Sequence, residues 1–313
     1  FADIFNGTIS YFALGHTSGG DLTHSIYSNT FFGFFTHVQQ YLYLYIPLLT
    51  MGIMSRETSS GSIKLLFSSP INNTQVVTGK YLSLAVYNLL LMLPLFLYAI
   101  FGYFTIVDMD FPLVLTGILG LYLLACAYAA IGLFMSGLTT YQTVAAIGTF
   151  ATLAALTYVG RVGQTIPLVR DITYWLSITG RASEFIRGLI SSEDLLYFFI
   201  ISAMFLSLAV LQLKNKRSQS SLAGRMGQYV AVLLIAVFLG YLSSRPSLMT
   251  YHDSTRMKTQ TLTGPSKDVL AQLKGKISIT TYANLFANDY TSVLPQYYNQ
   301  DMEDYRPYMR FKP

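Results

Sequence analysis

The chain has little charge and a single cysteine. Of its 313 residues only 11% are Asp, Glu, Lys or Arg, whereas soluble domains usually carry about 25%. Cys126 lies inside an apolar run, which excludes an intramolecular disulfide and a cysteine-rich metal site. The four histidines are scattered and form no cluster with carboxylates at metal-ligand spacing. We therefore predict neither a disulfide-stapled domain nor a metal site.

The sequence also lacks the motifs of common catalytic sites. It contains no phosphate-binding GxxxxGKS or GxxxxGKT loop, no nucleophile elbow and no HExxH. Its net charge of +5 is spread over loops, without the basic stripe that follows nucleic-acid phosphates. These absences predict a chain that is not an enzyme, has no catalytic residues, binds no cofactor of its own and binds no nucleic acid.

Long apolar runs dominate the sequence instead. Hydrophobic residues make up 52% of the chain, and the 24 Tyr and 21 Phe match the aromatic enrichment of membrane interfaces. We predict an all-α polytopic membrane protein with six visible spans, embedded in a lipid bilayer. Five spans lie at about 31–54, 81–106, 113–137, 193–213 and 228–244, and the fourth runs from a turn at 138–142 to about Gly160.

The third span contains many small residues, which let helix backbones approach closely in a membrane. These residues are Gly117, Gly120, Ala125, Ala127, Ala129, Ala130 and Gly132. By contrast, the spans between 81 and 160 contain no Lys, Arg, Glu or His. Because ion-coupled transporters usually need an ionisable residue at membrane depth, this composition disfavours ion-coupled secondary transport. Energy for transport would then come from elsewhere, most economically from a cytosolic ATPase.

The composition changes after the last span and divides the chain into four parts. After residue 245 a proline near the first turn and Gly275 as a stop predict a helix, and alternation at 276–284 predicts a strand. This order indicates the start of a soluble α/β domain that is cut off. The four parts are a transmembrane domain at 1–213, a cytoplasmic linker at 214–227, an additional membrane helix at 228–244 and an extracytoplasmic domain from 245 to 313.

The distribution of Lys and Arg predicts the orientation. The 55–80 loop and the 214–227 loop carry basic residues and fall on one side if the spans alternate, whereas the loops at 1–30 and 107–112 carry none. We predict that Asp108 and Asp110 lie in a solvated turn. The four arginines of the 161–192 segment conflict with this assignment. We nevertheless place 55–80 in the cytoplasm and the C-terminal domain outside it.

Within the 161–192 segment, three charged residues recur at a helical spacing. Arg181, Glu184 and Arg187 lie near one face of a helix. The apolar residues that lie largely on the other face are Phe185, Ile186, Leu189 and Ile190. The pattern predicts short amphipathic helices at the outer surface. The charged face is either simply solvated or forms an outer gate that guides a substrate, which makes these three residues the gate candidates.

The polar stretch at 54–80 holds a short apolar patch, too short to cross a bilayer. It is typical of a short amphipathic helix that lies on the membrane surface or docks on a soluble partner. Arg56-Glu57, the GSIKLL run at 61–66, Ser69-Pro70 and Gly79-Lys80 together resemble the cytoplasmic loop of type-2 ABC exporter permeases. The 180–198 stretch is similar to the outer segment of the same family.

Within that family, the chain looks most like the gliding-motility-associated permeases. Residues 228–313 resemble the start of the accessory protein that follows such permeases, so the resemblance implies a fusion of the two. Lys64 departs from the family pattern, which commonly has an acidic residue there, and the first family span is missing from the visible chain. The resemblance also implies the bacterial inner membrane as the location and a homodimer or pseudo-dimer of permeases.

The resemblance further implies that a cytosolic ABC ATPase subunit, which binds ATP and Mg, drives the permease through the 55–80 loop. Ile63, Leu65 and Leu66 would supply the docking contact, and charges at the rim would steer the pairing. The implied coupling residues are Arg56, Glu57, Gly61, Ser62, Ile63, Lys64, Leu65, Leu66, Pro70, Gly79 and Lys80. Two alternatives stay open: an ordinary membrane-surface loop, and an ATPase-driven anchor that transmits force to envelope proteins without transporting.

Overall fold

A computed structural model describes most of the chain, and it is mostly helical. The described residues are 2–13, 22–29, 33–161, 175–217, 222–245 and 248–272, with single positions at 166, 169, 173, 305, 307, 308 and 311. The α-helices are α1 (Ala2–Ala13), α2 (Phe34–Thr50), α3 (Ser55–Ser59), α4 (Ile63–Ser68), α5 (Asn73–Thr105), α6 (Phe111–Leu138), α7 (Gln142–Tyr158), α8 (Ile178–Ile186), α9 (Ser192–Arg217), α10 (Leu222–Ser243) and α11 (Gly264–Gln272). A π-helix covers His24–Ser28, a 3₁₀ turn covers Val159–Arg161, and the strands are β1 (Leu189–Ser191) and β2 (Tyr251–Asp253).

Four of the described helices are long and apolar enough to cross a membrane: α5, α6, α9 and residues 223–243 of α10. The predicted spans at 31–54 and up to Gly160 are represented by α2 and α7, which have 17 residues each. At 1.5 Å per residue such a helix is about 25 Å long, below the roughly 30 Å of a hydrocarbon core. The chain is therefore a multi-pass membrane protein with two shorter helices beside its four long ones.

The second predicted span begins earlier than its hydropathy indicates. Helix α5 starts at Asn73, so Gly79 and Lys80 lie inside the helix instead of opening it. The N–H of Asn72 donates to Oε1 of Gln75 over 3.0 Å, which is one half of a capping box. The first two turns of this helix mix polar residues with Val76 and Val77, and a hydropathy pattern places its start only where the continuous apolar run begins.

Helix α6 is the central element. In its most apolar window 78% of the residues are buried, against 28% in α5 and 17% in α10. Its glycines face bulky groups on its neighbours: Gly117 meets the ring of Phe35 on α2, Gly120 meets Phe185 on α8, and Gly132 meets Thr50 on α2. A Cβ atom at any of these glycines would overlap the facing side chain, which confirms that the small residues of this span permit close helix packing.

The residues before α2 are more ordered than the loop expected at 1–30. In the described part of this stretch, α1 and the π-helix are formed, and Ile26 and Tyr27 are fully buried. The hydroxyl of Tyr27 donates to the carbonyl oxygen of Tyr98 on α5 over 2.8 Å. An apolar and aromatic composition thus packs this stretch on the bundle.

The two ends of the bundle collect different segments. At one end, here called the α3–α4 end, Nζ of Lys216 near the end of α9 donates to the carbonyl oxygen of Gly137 on α6 over 2.7 Å. The 55–80 and 214–227 loops therefore lie at the same end, as the alternation of spans predicts. The opposite end, here called the sheet end, carries α8, β1, β2 and the turn between α5 and α6.

The sheet joins distant parts of the chain. Strands β1 and β2 pair antiparallel, with Leu189 opposite Asp253 and Ser191 opposite Tyr251. Beyond β2 the predicted helix is present as α11, with Pro265 in its first turn. Gly275 and the predicted strand at 276–284 lie outside the described residues. The first strand after residue 245 thus pairs with the segment before α9, a contact that local sequence patterns do not encode.

Candidate coupling site

The connection between α2 and α5 contains two short helices, α3 and α4, joined by a tight turn. Gly61 has a φ angle of +75° in this turn, a conformation that a residue without a Cβ adopts at little cost. The hydroxyls of Ser60 and Ser62 lie 3.0 Å apart, and Ser62 also donates to the carbonyl oxygen of Glu57 over 3.3 Å. The connection is therefore a compact helical pair, here called the α3–α4 segment.

A buried serine on α6 holds the start of this segment. Oγ of Ser136 accepts hydrogen bonds from the N–H groups of Met54 and Ser55 over 3.0 and 3.1 Å. The same hydroxyl donates to the carbonyl oxygen of Met51 over 2.9 Å. The N–H groups at a helix start have no partner within the helix, and here α6 supplies one. Sequence reasoning missed Ser136, whose signal is a hydroxyl before a glycine near the end of an apolar span.

An ion pair connects α3 to α5. Nζ of Lys80 lies 2.5 Å from Oε1 of Glu57 and also donates to the carbonyl oxygen of Ile53 over 3.0 Å. Both side chains are partly buried. Glu57 is thus not a free rim charge, because its partner is supplied by the same chain. Arg56 and Lys64, the other two rim candidates, are exposed.

The two faces of α4 differ in exposure. Ile63 is 9% exposed and shares a narrow cleft with Gly137 of α6 and Leu213 of α9. Leu66 packs against the hydrophobic core, whereas Leu65 is 75% exposed. Of the three predicted docking residues, the structure therefore turns Ile63 inward as an anchor, half-buries Leu66 and presents Leu65.

The remaining predicted coupling residues lie on the surface of the same region. Ser62 and Pro70 are exposed, and Gly61 is half-buried. Apart from the backbone of α5 and the two adjacent residues, no atom lies within 4 Å of the position that a Cβ would take at Gly79. Their arrangement leaves an exposed surface around Leu65 and Lys64, with the internal contacts of the α3–α4 segment on its other side.

At the sheet end, Arg181 is the centre of a buried ion-pair cluster. Its Nη1 lies 2.7 Å from Oδ1 of Asp194 and 2.7 Å from Oε1 of Glu193, and its guanidinium lies 5.3 Å from the ring centre of Tyr197. Burial lowers the pKa of Arg181, but the two carboxylates more than offset this, and the net pKa lies above its ordinary value. The guanidinium is therefore firmly charged.

The prediction that the charged face of α8 is solvated is therefore wrong for two of its three charged residues. Arg181 and Glu184 are buried, and Arg187 is half-buried at the end of the helix. The physical reason is that the first turn of α9 brings two carboxylates under α8, so that the arginine gains partners in the interior. Among the described residues no three His, Cys, Asp or Glu side chains are placed to hold a metal ion.

The chain after α10 returns to the same end and bonds to it. The N–H of Ser254 donates to the carbonyl oxygen of Gly188 over 2.8 Å, and the N–H of Ser192 donates to that of Thr250 over 3.0 Å. The N–H of Arg256 donates to Oδ2 of Asp110 over 2.7 Å. Residues 250–261, here called the return segment, are thus held by main-chain and side-chain bonds to the membrane domain.

Asp110 is buried, which corrects the expectation of a solvated turn at this position. Its Oδ1 accepts from the N–H of Leu113 over 3.3 Å at the start of α6, while its Oδ2 serves the return segment. Asp108 is exposed and pairs with Arg256 over 3.0 Å. A capping aspartate at a helix start is common; its second partner, 146 residues away in the chain, removes it from solvent.

Residues 21–192 match the family described as ABC-2 family transporter protein. The match covers more than half of the chain and runs from the π-helix to the first residue of α9, so it includes the α3–α4 segment and Arg181. Comparisons with curated proteins and with solved structures gave no significant match.

Proposed function

The chain belongs to the ABC-2 family of transporter proteins, and from this premise we propose that it is the permease of an ATP-driven exporter whose separate cytosolic ATPase docks on the α3–α4 segment. The family membership makes the chain a membrane component of an ABC transporter and not its ATPase. ATP and Mg²⁺ then belong to the partner, and this chain supplies the docking surface and the path through the membrane.

The exposure of Leu65 is the observation that carries this proposal. The side chain is 75% exposed on a short helix outside the long apolar helices, with Lys64 beside it. A short helix that presents an apolar residue to a groove on a partner is a recurring mode of recognition. Exposed charges at the rim, Arg56 and Lys64, then steer the pairing more than they strengthen it.

The contacts behind the segment support a mechanical role. Ser136 holds α3 on α6, the Glu57–Lys80 pair joins α3 to α5, and Ile63 lies against α6 and α9. A displacement of α4 by the ATPase would therefore move three long helices together. In the proposed cycle this motion rocks the helices and opens a path toward the sheet end, where Arg181, Glu184 and Arg187 are the gate candidates.

The proposed assembly contains two permease copies or two related chains. In it α2 and α7 complete six visible spans, with the α3–α4 end in the cytoplasm of a bacterial inner membrane. The basic residues near that end, in the 55–80 and 214–227 loops, support this orientation. The sheet end and the domain after residue 245 are then extracytoplasmic, as expected for a gliding-motility-associated permease fused to the start of its accessory protein.

A second candidate function is force transmission from the ATPase to envelope proteins, without transport. The observation in its favour is the return segment. Its bonds to Gly188, Ser192 and Asp110 tie the chain after α10 to the membrane domain. A movement of the bundle would in that case be passed on to whatever follows the return segment.

The test is a pull-down of the detergent-solubilised protein with its co-expressed ATPase. We expect Leu65→Asp to weaken the association by at least about tenfold, because a buried carboxylate costs several times more than a lost apolar contact. Leu138→Asp is the matched control, since Leu138 is also exposed, at the α3–α4 end but outside the segment. Equal binding by wild type and Leu65→Asp would rule out docking through Leu65.

A further inference from the structure

A cleft between α9 and α10 at the α3–α4 end has the composition of an anion site. It has a volume of about 330 Å³ and is open on one side. Its walls come from the last turns of α9 and the first turns of α10. The lining residues are Gln212, Asn215, Lys216, Arg225, Met226 and Tyr229.

Four basic side chains bring positive charge to the cleft. Lys216 and Arg225 face it, and Lys214 and Arg217 lie close by on α9. The sequence from 195 to 252 contains no Asp or Glu. The N-terminal end of α10 adds the positive end of its helix dipole. An anionic group in the cleft would therefore be attracted by both helices.

Lys216 is positioned for this role by a bond to the membrane domain. Its Nζ donates to the carbonyl oxygen of Gly137 over 2.7 Å, and an ammonium group has two further hydrogens to donate. The amides of Gln212 and Asn215 and the hydroxyl of Tyr229 add neutral hydrogen-bonding groups to the walls. This set of donors suits the several oxygens of a phosphate group.

An apolar stripe runs away from the cleft along α10. Met226 in the cleft is followed by Val230, Leu233, Leu234 and Val237, all of them exposed. Their spacing of three and four residues places them along one face of the helix. Cations at the end of a membrane-crossing helix lie at headgroup depth, and the stripe runs from there into the hydrocarbon. The geometry therefore suits an amphiphile, with its anionic group in the cleft and its chains on the stripe.

We propose that this cleft binds the headgroup of an anionic phospholipid in the leaflet at the α3–α4 end. The phosphate accepts hydrogen bonds from Lys216 and Arg225, and an acyl chain covers the stripe from Met226 to Val237. Gln212 and Lys216 also line the narrow cleft behind Ile63. A bound lipid would therefore lie next to the base of the α3–α4 segment and support it from behind.

The test measures lipid retention by the delipidated full-length chain in detergent, using native mass spectrometry with added phosphatidylglycerol or phosphatidylcholine. We expect one phosphatidylglycerol to bind at least about tenfold more tightly than phosphatidylcholine. The double variant Lys216→Gln/Arg225→Gln should lose this preference. Lys214→Gln/Arg217→Gln, which removes the same charge beside the cleft without changing its lining, should keep it within about twofold.

Three outcomes would overturn the proposal. The first is equal loss in the two double variants, which would indicate attraction by general charge. The second is equal retention of the two lipids by the wild type. The third is competition by millimolar inorganic phosphate that removes the lipid completely, which would indicate a site for free phosphate. The variant Lys216→Arg/Arg225→Lys keeps the charges and should keep the preference, so its loss together with a monodisperse elution profile would also contradict a headgroup site.

Discussion

At the scale of single residues, two glycines near the α3–α4 segment should respond in opposite directions to the same substitution. Gly61 has a φ of +75°, whereas Gly79 lies within α5 with open space around it. Gly61→Ala should lower the free energy of unfolding by about 1 kcal/mol, because a Cβ is disfavoured in the left-handed region. Gly79→Ala should raise it by roughly 0.5–1 kcal/mol, because alanine favours the helix. Unfolding in mixed micelles measures both, and shifts of the same sign would contradict the role of the turn.

Substitution of Ser136 should also change the stability of the protein. In Ser136→Ala the buried N–H groups of Met54 and Ser55 lose their acceptor, so the unfolding free energy should fall by about 1–3 kcal/mol. Ser59→Ala is the control, since Ser59 is exposed and bonds only within α3. Unfolding in mixed micelles compares the stabilities of Ser136→Ala and Ser59→Ala. If the two variants were equally stable, Ser136 would not be what holds α3 on α6.

At the scale of elements, the Glu57–Lys80 pair is the link between α3 and α5. Glu57→Gln, Lys80→Gln and the double variant form a double-mutant cycle. We expect a coupling energy of roughly 0.5–1 kcal/mol in unfolding, since the pair is partly exposed and therefore screened. The coupling should shrink at high salt. Additive single effects would show that the two helices are joined without this pair, for instance through the bond from Lys80 to Ile53.

The helices show which parts of the fold can be predicted from the sequence and which cannot. The apolar runs located α5, α6, α9 and α10, because burial in lipid demands apolar residues at nearly every position. The start of α5 at Asn73 was missed, since hydropathy reports the surroundings of a helix and not its backbone. The short lengths of α2 and α7 were missed for the same reason: apolar residues continue past the helix ends.

The short apolar patch predicts a short helix in the 55–80 stretch, where the structure has α3 and α4, but it does not predict their orientation. The family resemblance located α3 and α4, yet only the fold shows that Ile63 turns inward and Leu65 outward. Ser136 and Lys80 belong to other helices, so their contacts with α3 depend on packing across the bundle. The partners of Arg181 follow it in sequence by 12 and 13 residues, and the charge pattern of α8 alone gave no sign of them.

At the scale of the whole molecule, the return segment joins the chain after α10 to the membrane domain. Asp253 is buried and organises this segment, because its carboxylate accepts from the N–H groups of Thr255 and Gln260 and from the hydroxyl of Thr261. Strand β2 ends at this residue, opposite Leu189 of β1. The hydroxyl of Thr255 donates to the same carboxylate, so loss of the carboxylate would leave four donors unsatisfied. We expect this to detach the segment locally, while the rest of the bundle keeps its packing.

Trypsin cleavage of the whole chain tests whether Asp253 holds the return segment. Asp253→Ala should speed trypsin cleavage after Arg256 and Lys258 by at least about tenfold, since cleavage requires local opening of the segment. Asp268→Ala is the control, because Asp268 is exposed on α11. Unchanged cleavage in Asp253→Ala would mean that the strand pairing and the bonds to Gly188 and Asp110 hold the segment without this carboxylate.

The same variant separates the two proposed functions. Association with the ATPase depends on Leu65 at the other end of the bundle, and Asp253→Ala should leave it intact. A permease that exports a substrate should then keep its ATP-driven transport, because the path through the helices is unchanged. A force-transmitting anchor should lose its cellular phenotype, because the connection between the bundle and the domain after residue 261 is broken. Loss of ATPase association in Asp253→Ala would contradict both, since it would show that the substitution also disturbs the α3–α4 segment at the other end of the bundle.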